Sequence, residues 1–91
     1  MNKENLIDRV AQENELSKTK AKFLVNLVFQ SMMDALAQGD RVEIRGFGTF
    51  AVKNYEAYEG RNPKTGEVVK VKPKKLPVFR VGKRLKENVN S

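Results

Sequence analysis

From Leu6 to Ala11 the apolar residues fall on one stripe: Leu6, Ile7, Val10 and Ala11 occupy positions i, i+1, i+4 and i+5. That spacing predicts a helix with a single buried face. Asn2, just ahead, is a residue type that caps helix starts by accepting a backbone N–H bond. Asn14-Glu15 interrupts the stripe, and Ser17 supplies a second cap, with Leu16 before it placed as a hydrophobic staple. A second helix is expected from about Lys18 to Gln38, closed by Gly39, the favoured residue after a helix end.

The second helix is apolar on more than one side. Phe23, Leu24, Val25, Leu27, Val28, Phe29, Met32, Met33, Ala35 and Leu36 cover far more than one stripe, and such a helix must be buried on several sides. One short partner helix and a small sheet can hardly cover it, whereas a second copy of the chain can. An ordinary core helix of a monomer is the alternative. The dimer reading places the shared core on Phe29, Met32 and Leu36 of this helix together with Phe47, Phe50 and Phe79.

At Asp40 the period changes from helical to two. Arg41-Val42-Glu43-Ile44-Arg45 alternates polar and apolar, as a half-buried strand does. Gly46-Phe47-Gly48 predicts a tight turn, and Thr49 to Lys53 the paired strand. Asn54 to Glu59 then brings polar and aromatic residues without core-facing aliphatics, Gly60 to Gly66 a turn, and Glu67 to Lys72 a returning strand. These segments predict a protruding hairpin of roughly nine residues per side, about 30 Å long. Pro73 and Pro77 remove ladder donors, so this strand cannot sit mid-sheet throughout. Leu76 to Val81 leads back to the body. A short helix from about Gly82 follows, with Leu85 and Val89 four apart. No internal repeat, linker or low-complexity tract interrupts the chain.

Charge divides the same way. Residues 1–39 carry five basic and five acidic side chains, whereas residues 40–91 carry thirteen basic against six acidic, which accounts for the whole net charge of +7. A neutral half joined to a basic half points to a scaffold presenting a polyanion-binding surface. A basic surface also serves solubility, and lysines on edge strands also guard against aggregation. With no cysteine and no histidine among 91 residues, disulfides, thiolate metal sites and imidazole general bases are all excluded. No carboxylate pair or nucleophile–base set suggests catalysis, so the expectation is a protein without catalytic residues, metal or cofactor, and without a small-molecule substrate. Met1-Asn2-Lys3-Glu4 has no apolar leader character, and no stretch approaches the ~20 apolar residues of a membrane span. The expected location is the cytoplasm, with no membrane partner.

The segment Gly60-Arg61-Asn62-Pro63-Lys64-Thr65-Gly66 concentrates the chemistry. Gly, Asn and Pro suit any hairpin apex, but here they sit among Arg61, Lys64, Lys70, Lys72, Lys74 and Lys75. A thin basic ribbon fits a DNA groove, and a flat apolar proline at its tip can wedge into a base step. Arg61 suits the narrow-groove potential and Asn62 the acceptors on the groove floor.

Gly46-Phe47-Gly48-Thr49-Phe50, the Gly60–Gly66 tip and Phe79-Arg80-Val81-Gly82-Lys83 closely resemble the bacterial HU and integration host factor family of histone-like proteins. The resemblance spans essentially the whole chain. It implies an α+β fold and an intertwined dimer with a helical base, a small antiparallel sheet as saddle, and two β-ribbon arms. Residues 1–39 would form the helical dimerisation part, 40–81 the sheet and arm, and 82–91 a C-terminal helix. The implied partner is double-stranded DNA in the nucleoid, bent and compacted, with Pro63 wedging into the minor groove and Arg61 and Asn62 contacting it. Phosphate contacts would fall on Lys53, Lys64, Lys70, Lys72, Lys74, Lys75, Arg80, Lys83 and Lys86. Lys3, Arg45 and the Gly46 and Gly48 amides would add to them, as would the start of the last helix near Gly82.

Two features complicate the resemblance. Family arms are usually arginine-rich on the outgoing strand, where this chain reads Tyr55-Glu56-Ala57-Tyr58-Glu59. The expectation is that Glu56 and Glu59 pair with lysines of the return strand, while the tyrosines pack on Val69 and Val71 or lie against sugar rings. Glu43-Ile44-Arg45 looks like the β-type subunit of integration host factor, while the length and the joint between the first two helices look like HU. A weakly specific homodimer, half of a site-preferring heterodimer, a basic protein-interaction module and an RNA-binding domain all remain open on sequence alone; the homodimer is favoured.

Overall fold

A computed structural model describes all 91 residues. The order is α1 (Lys3–Glu13), α2 (Lys18–Ala37), β1 (Val42–Ile44), β2 (Gly48–Tyr55), β3 (Tyr58–Arg61), β4 (Val68–Val71), β5 (Lys74–Val81) and α3 (Lys83–Val89), an α+β fold with antiparallel sheets. Asn2 caps α1: its side chain accepts from the Asn5 N–H at 2.8 Å, and the Asn5 side chain accepts from the Asn2 N–H at 3.2 Å, satisfying two donors that a helix start otherwise leaves orphaned. Ser17 caps α2 by accepting from the Lys20 N–H. Gln38 ends α2, and Gly39 follows with φ +85°, a left-handed conformation that glycine adopts without penalty.

The stripe on α1 meets α2 as its spacing predicts. Ile7 packs with Ala21 and Val25 in the one buried cluster, and Leu6, Val10 and Ala11 flank it. Lys18 ties the two helices at their surface, its Nζ lying 2.7 Å from a Glu4 carboxylate oxygen and 3.5 Å from one of Asp8. The hydrogen bond to Lys18, reinforced by its charge, holds the Glu4 carboxyl below its ordinary value of 4.5. The hydrogen bond to Glu4, with the nearby Asp8 charge, holds Lys18 above 10.5.

A depressed carboxylate stabilises above its unfolded value and loses that contribution as pH falls through the folded one; a raised lysine stabilises below its unfolded value and loses it as pH rises. Both contributions are therefore complete around neutrality. Glu4→Gln should lower the melting temperature by a small amount that is constant from about pH 6 to about pH 9 and shrinks in acid below the ordinary carboxylate value. Circular dichroism melts of the two proteins across pH check this.

β2 is the central strand of a three-stranded sheet ordered β1-β2-β5, so β5, which carries Pro77, is an edge strand. The Arg45–Phe47 turn is closed by the Phe47 N–H donating to the Ile44 carbonyl at 2.9 Å. Gly48 is buried, and a Cβ there would collide with the Arg80 carbonyl oxygen and the Phe79 ring.

The arm departs from the expected continuous ribbon. β2 and β5 pair as far as Tyr55 opposite Lys74. The ladder then lapses at Glu56-Ala57 and Lys72-Pro73, and β3 and β4 resume it as a separate two-stranded hairpin, with Tyr58 opposite Val71 and Arg61 opposite Val68. Pro73 has no N–H to donate, so the ladder breaks where it stands. Tyr58 thus faces Val71 across the hairpin. Glu59 stands opposite Lys70, but the ion pairs of this chain involve neither Glu59 nor Glu56. The anticipated pairing with return-strand lysines is not formed: the joint at Ala57 and Pro73 leaves Glu56 without an opposing strand residue, and exposed pairs such as Glu59–Lys70 gain little from closing.

A single chain leaves its apolar surface largely uncovered. Four of 91 residues are buried, and the radius of gyration is 19.3 Å, where a compact domain of this length would have about 12 Å. Phe23 is 65% exposed, and Leu27, Val28, Phe29 and Met33 along the same helix are exposed as well.

Candidate nucleic-acid interface

Residues opposite one another in an antiparallel pair share a face, and successive residues alternate faces. The registers therefore sort the sheet into two surfaces. Val42, Ile44, Phe50, Val52, Pro77, Phe79 and Val81 lie on one. Here the Phe79 ring packs at a tilt against Phe50 and Phe47, with centroids 4.7 Å and 5.3 Å away. This inner face borders an open cavity of about 500 Å³ against the end of α2, lined by Met33, Leu36, Val52 and Pro77 among others.

The other face carries Glu43, Thr49 and Arg80 in one row, then Ala51 with Val78, Lys53 with Leu76, and Tyr55 with Lys74. It is the basic face. Tyr55 sits between two ammonium groups, Lys53 Nζ 5.5 Å and Lys74 Nζ 5.9 Å from its ring centroid, within the range of cation–π attraction.

The fold thus brings Lys53, Lys74 and Arg80 together on one surface. Lys75 does not join them: it pairs with Asn54 on the inner face and lines the cavity there. Adjacent strand residues point opposite ways, so Lys74 and Lys75 cannot serve one surface. Gly48 also departs from its expected part, since it is buried and fills a packing role. Gly46 is exposed, with φ +84°. The Gly82 N–H is taken by the Phe47 carbonyl at 2.8 Å, which docks the start of α3 on the turn and leaves that amide unavailable to a ligand.

Arg84 has no role expected from the sequence, and Tyr55, expected to pack on Val69 and Val71 or to lie against sugar rings, stands opposite Lys74 rather than a β4 valine. The Arg84 side chain lies over the Gly46 turn, close enough that a Cβ on Gly46 would be 3.4 Å from its Cδ. Alternation along β2 puts Tyr55 on the same face as Lys53. Lys83 lies 4.0 Å from Glu87 at the surface, Lys86 is in the last turn of α3, Arg45 is exposed in the turn, and Lys3 is exposed on α1 in the helical half.

At the far end of the arm, Asn62 builds the turn. Its N–H donates to the Glu67 carbonyl at 2.9 Å, its carbonyl accepts from the Gly66 N–H at 2.8 Å, and its side-chain oxygen accepts from the Lys64 N–H at 2.9 Å. Gly66 adopts φ +73° to close the loop. The Asn62 amide donors stay free, the polarity that groove-floor acceptors require. Arg61, Pro63, Lys64, Lys70 and Lys72 are all exposed along the arm. No group of three or more Asp and Glu side chains converges as a metal site would require, and no helix is long and apolar enough to cross a membrane.

This geometry has close counterparts. Over 89 residues the chain is 46% identical to DNA-binding protein HU 1 of Bacillus subtilis, covering 98% of this chain and 97% of that one. It is 47% identical over 90 residues to DNA-binding protein HU-1 of Halalkalibacterium halodurans, covering 99% and 100%. Among solved structures, HU in an Anabaena HU–DNA cocrystal superposes with a TM-score of 0.84 at 36% identity, covering 98% of this chain and 97% of that one. HU from Thermotoga maritima superposes with a TM-score of 0.67 at 32% identity, covering 98% of both chains. The profile of the bacterial DNA-binding protein family matches residues 1–90, and the chain belongs to that family, of which the HU proteins are members.

Proposed function

We propose that two copies of this chain form an intertwined dimer that holds, bends and compacts double-stranded DNA in the nucleoid, as an architectural protein rather than an enzyme. The observation that carries this is the division of the sheet into a basic outer face and an uncovered apolar inner face, with the exposed basic arm beyond the joint. The outer face lies along the duplex, with Lys53, Lys74 and Arg80 against phosphates. Lys64, Lys70 and Lys72 follow the backbone along the arm, and Arg45, Lys83 and Lys86 contact it beside the turn and the last helix. The free Asn62 amide and Arg61 enter the minor groove, and Pro63 wedges between base pairs.

The second copy covers the inner face. The accessible surface is 8118 Å², against about 5,400 Å² for a compact monomer of this mass. Part of that excess is the projecting arm. The remainder is on the scale of obligate dimers, which bury about 2,000–5,000 Å² in total. Phe29, Met32, Leu36, Phe47, Phe50 and Phe79 then form a shared core. The HU names of the relatives favour the HU reading over that of integration host factor, and on that reading the second copy is the same chain.

Sedimentation of the purified chain, followed by gel shifts on intact duplex, nicked duplex, single strand and RNA, tests the proposal. The expected result is a dimer that prefers the nicked duplex, because a nick lowers the cost of bending. Equal affinity for nicked and intact duplex would contradict the bending mechanism.

A further inference from the structure

Lys53 and Lys74 are assigned to phosphates above, but the Tyr55 ring that lies between their ammonium groups has no part in that assignment. We infer that Tyr55 is a DNA-contacting residue at the root of the arm, which organises Lys53 and Lys74 into one composite phosphate-and-sugar contact. The inference rests on the DNA-binding function proposed above.

Four observations lead to it. Tyr55 stands on the outer face, directly opposite Lys74 and two residues from Lys53, so register alone fixes all three on the surface that carries Arg80. Its ring lies within 6 Å of both Nζ atoms. It is 38% exposed, so one side of the ring remains open to an incoming surface. The position is also where the ladder lapses before Glu56-Ala57, so the ring holds the last ordered basic pair before the joint.

The chemistry fits duplex DNA. A lysine loses about 2 kcal/mol of rotamer entropy when it is fixed, and an exposed cation–π contact of about 0.5–1 kcal/mol offsets part of that in advance. The attraction is too weak to withhold the ammonium groups from phosphate. The open side of the ring matches the apolar edge of a deoxyribose, a contact that neither carboxylate of the Tyr55–Glu59 segment can make. An aromatic residue in place of a cation therefore preserves the grip at this point without adding charge.

Affinity for an intact duplex, measured across a salt series with the full chain and its variants, tests the inference. Tyr55→Phe keeps the ring and should bind within about twofold of the parent chain. Tyr55→Leu keeps apolar bulk but lacks the ring face, and should bind about fivefold more weakly with an unchanged salt slope. Lys74→Gln should flatten the slope by about 0.9 for each copy that contacts phosphate. The Tyr55→Leu, Lys74→Gln double variant should lose less than the product of the two single losses, because the residues act together.

A second reading needs no change at Tyr55. The chain has two tyrosines and no tryptophan, so in a Tyr58→Phe background Tyr55 is the sole emitter, and duplex should quench it. Unchanged emission, parent-like binding by Tyr55→Leu, or strictly multiplicative losses would each overturn the inference. Failure of the parent chain itself to bind duplex would overturn the proposed function instead.

Discussion

Phe79→Ala is expected to abolish cooperative folding at ordinary temperatures. In the single chain the ring is 42% exposed, packed against Phe50, Phe47 and the Gly48 backbone on the bare inner face. A half-covered ring of this kind in a monomer would lose only a fraction of the full core penalty on truncation. In the proposed dimer the ring is enclosed, and a Phe→Ala change in a core costs about 3–5 kcal/mol per site. Two sites per dimer together approach the whole stability of a domain, about 5–15 kcal/mol. Circular dichroism melts at fixed chain concentration separate the cases. Loss of the transition, or a melting temperature that climbs steeply with concentration, supports the shared core; a drop of a few degrees that is independent of concentration speaks for a monomer.

The second large effect is electrostatic. Affinity for duplex should fall by about 10³ to 10⁵ between 50 and 200 mM monovalent salt, the dependence expected when roughly six to ten phosphates are neutralised. Lys53, Lys74 and Arg80 on two copies supply six such contacts before the arms are counted. Fluorescence anisotropy with a labelled duplex gives the slope of log affinity against log salt. Arg80→Gln should flatten that slope, whereas Lys75→Gln, on the inner face, should leave it nearly unchanged while perturbing the cavity beside Met33 and Leu36. A shallow slope in the parent chain would mean that apolar contacts, not phosphates, dominate.

The contrast between Lys74 and Lys75 shows what could be read in advance. Caps and periods were legible because they are local: Asn2 and Ser17 bond within their own first turns, and the Ile7 stripe has a single face to bury. Pro77 marked an edge strand because a missing donor has one consequence wherever it occurs. Composition marked the four lysines between Lys70 and Lys75 as alike. Only the register of β5 on β2, which begins at the ladder break, decides that Lys74 faces outward and Lys75 inward.

The split of the arm was legible in principle, since Pro73 stands between the expected return strand, Glu67 to Lys72, and the segment from Leu76 that leads back to the body. The aliphatic run Val68–Val71 reads as a continuous strand and masks it. Gly48 was misread for a different reason: a glycine that frees an amide for a ligand and one that makes room for a ring look identical in one dimension. What it makes room for is Phe79, thirty-one positions on in the chain.

The bent complex itself is tested most directly by energy transfer between dyes at the two ends of a short intact duplex, with the parent chain and with Pro63→Ala under salt and concentration that saturate both. The parent chain should bring the ends markedly closer, and Pro63→Ala should bind with similar affinity yet leave the ends much farther apart, because the unstacking wedge is gone. An end-to-end distance that does not change when the parent chain binds, or that is the same for both proteins, would contradict a bend set by the arm tips.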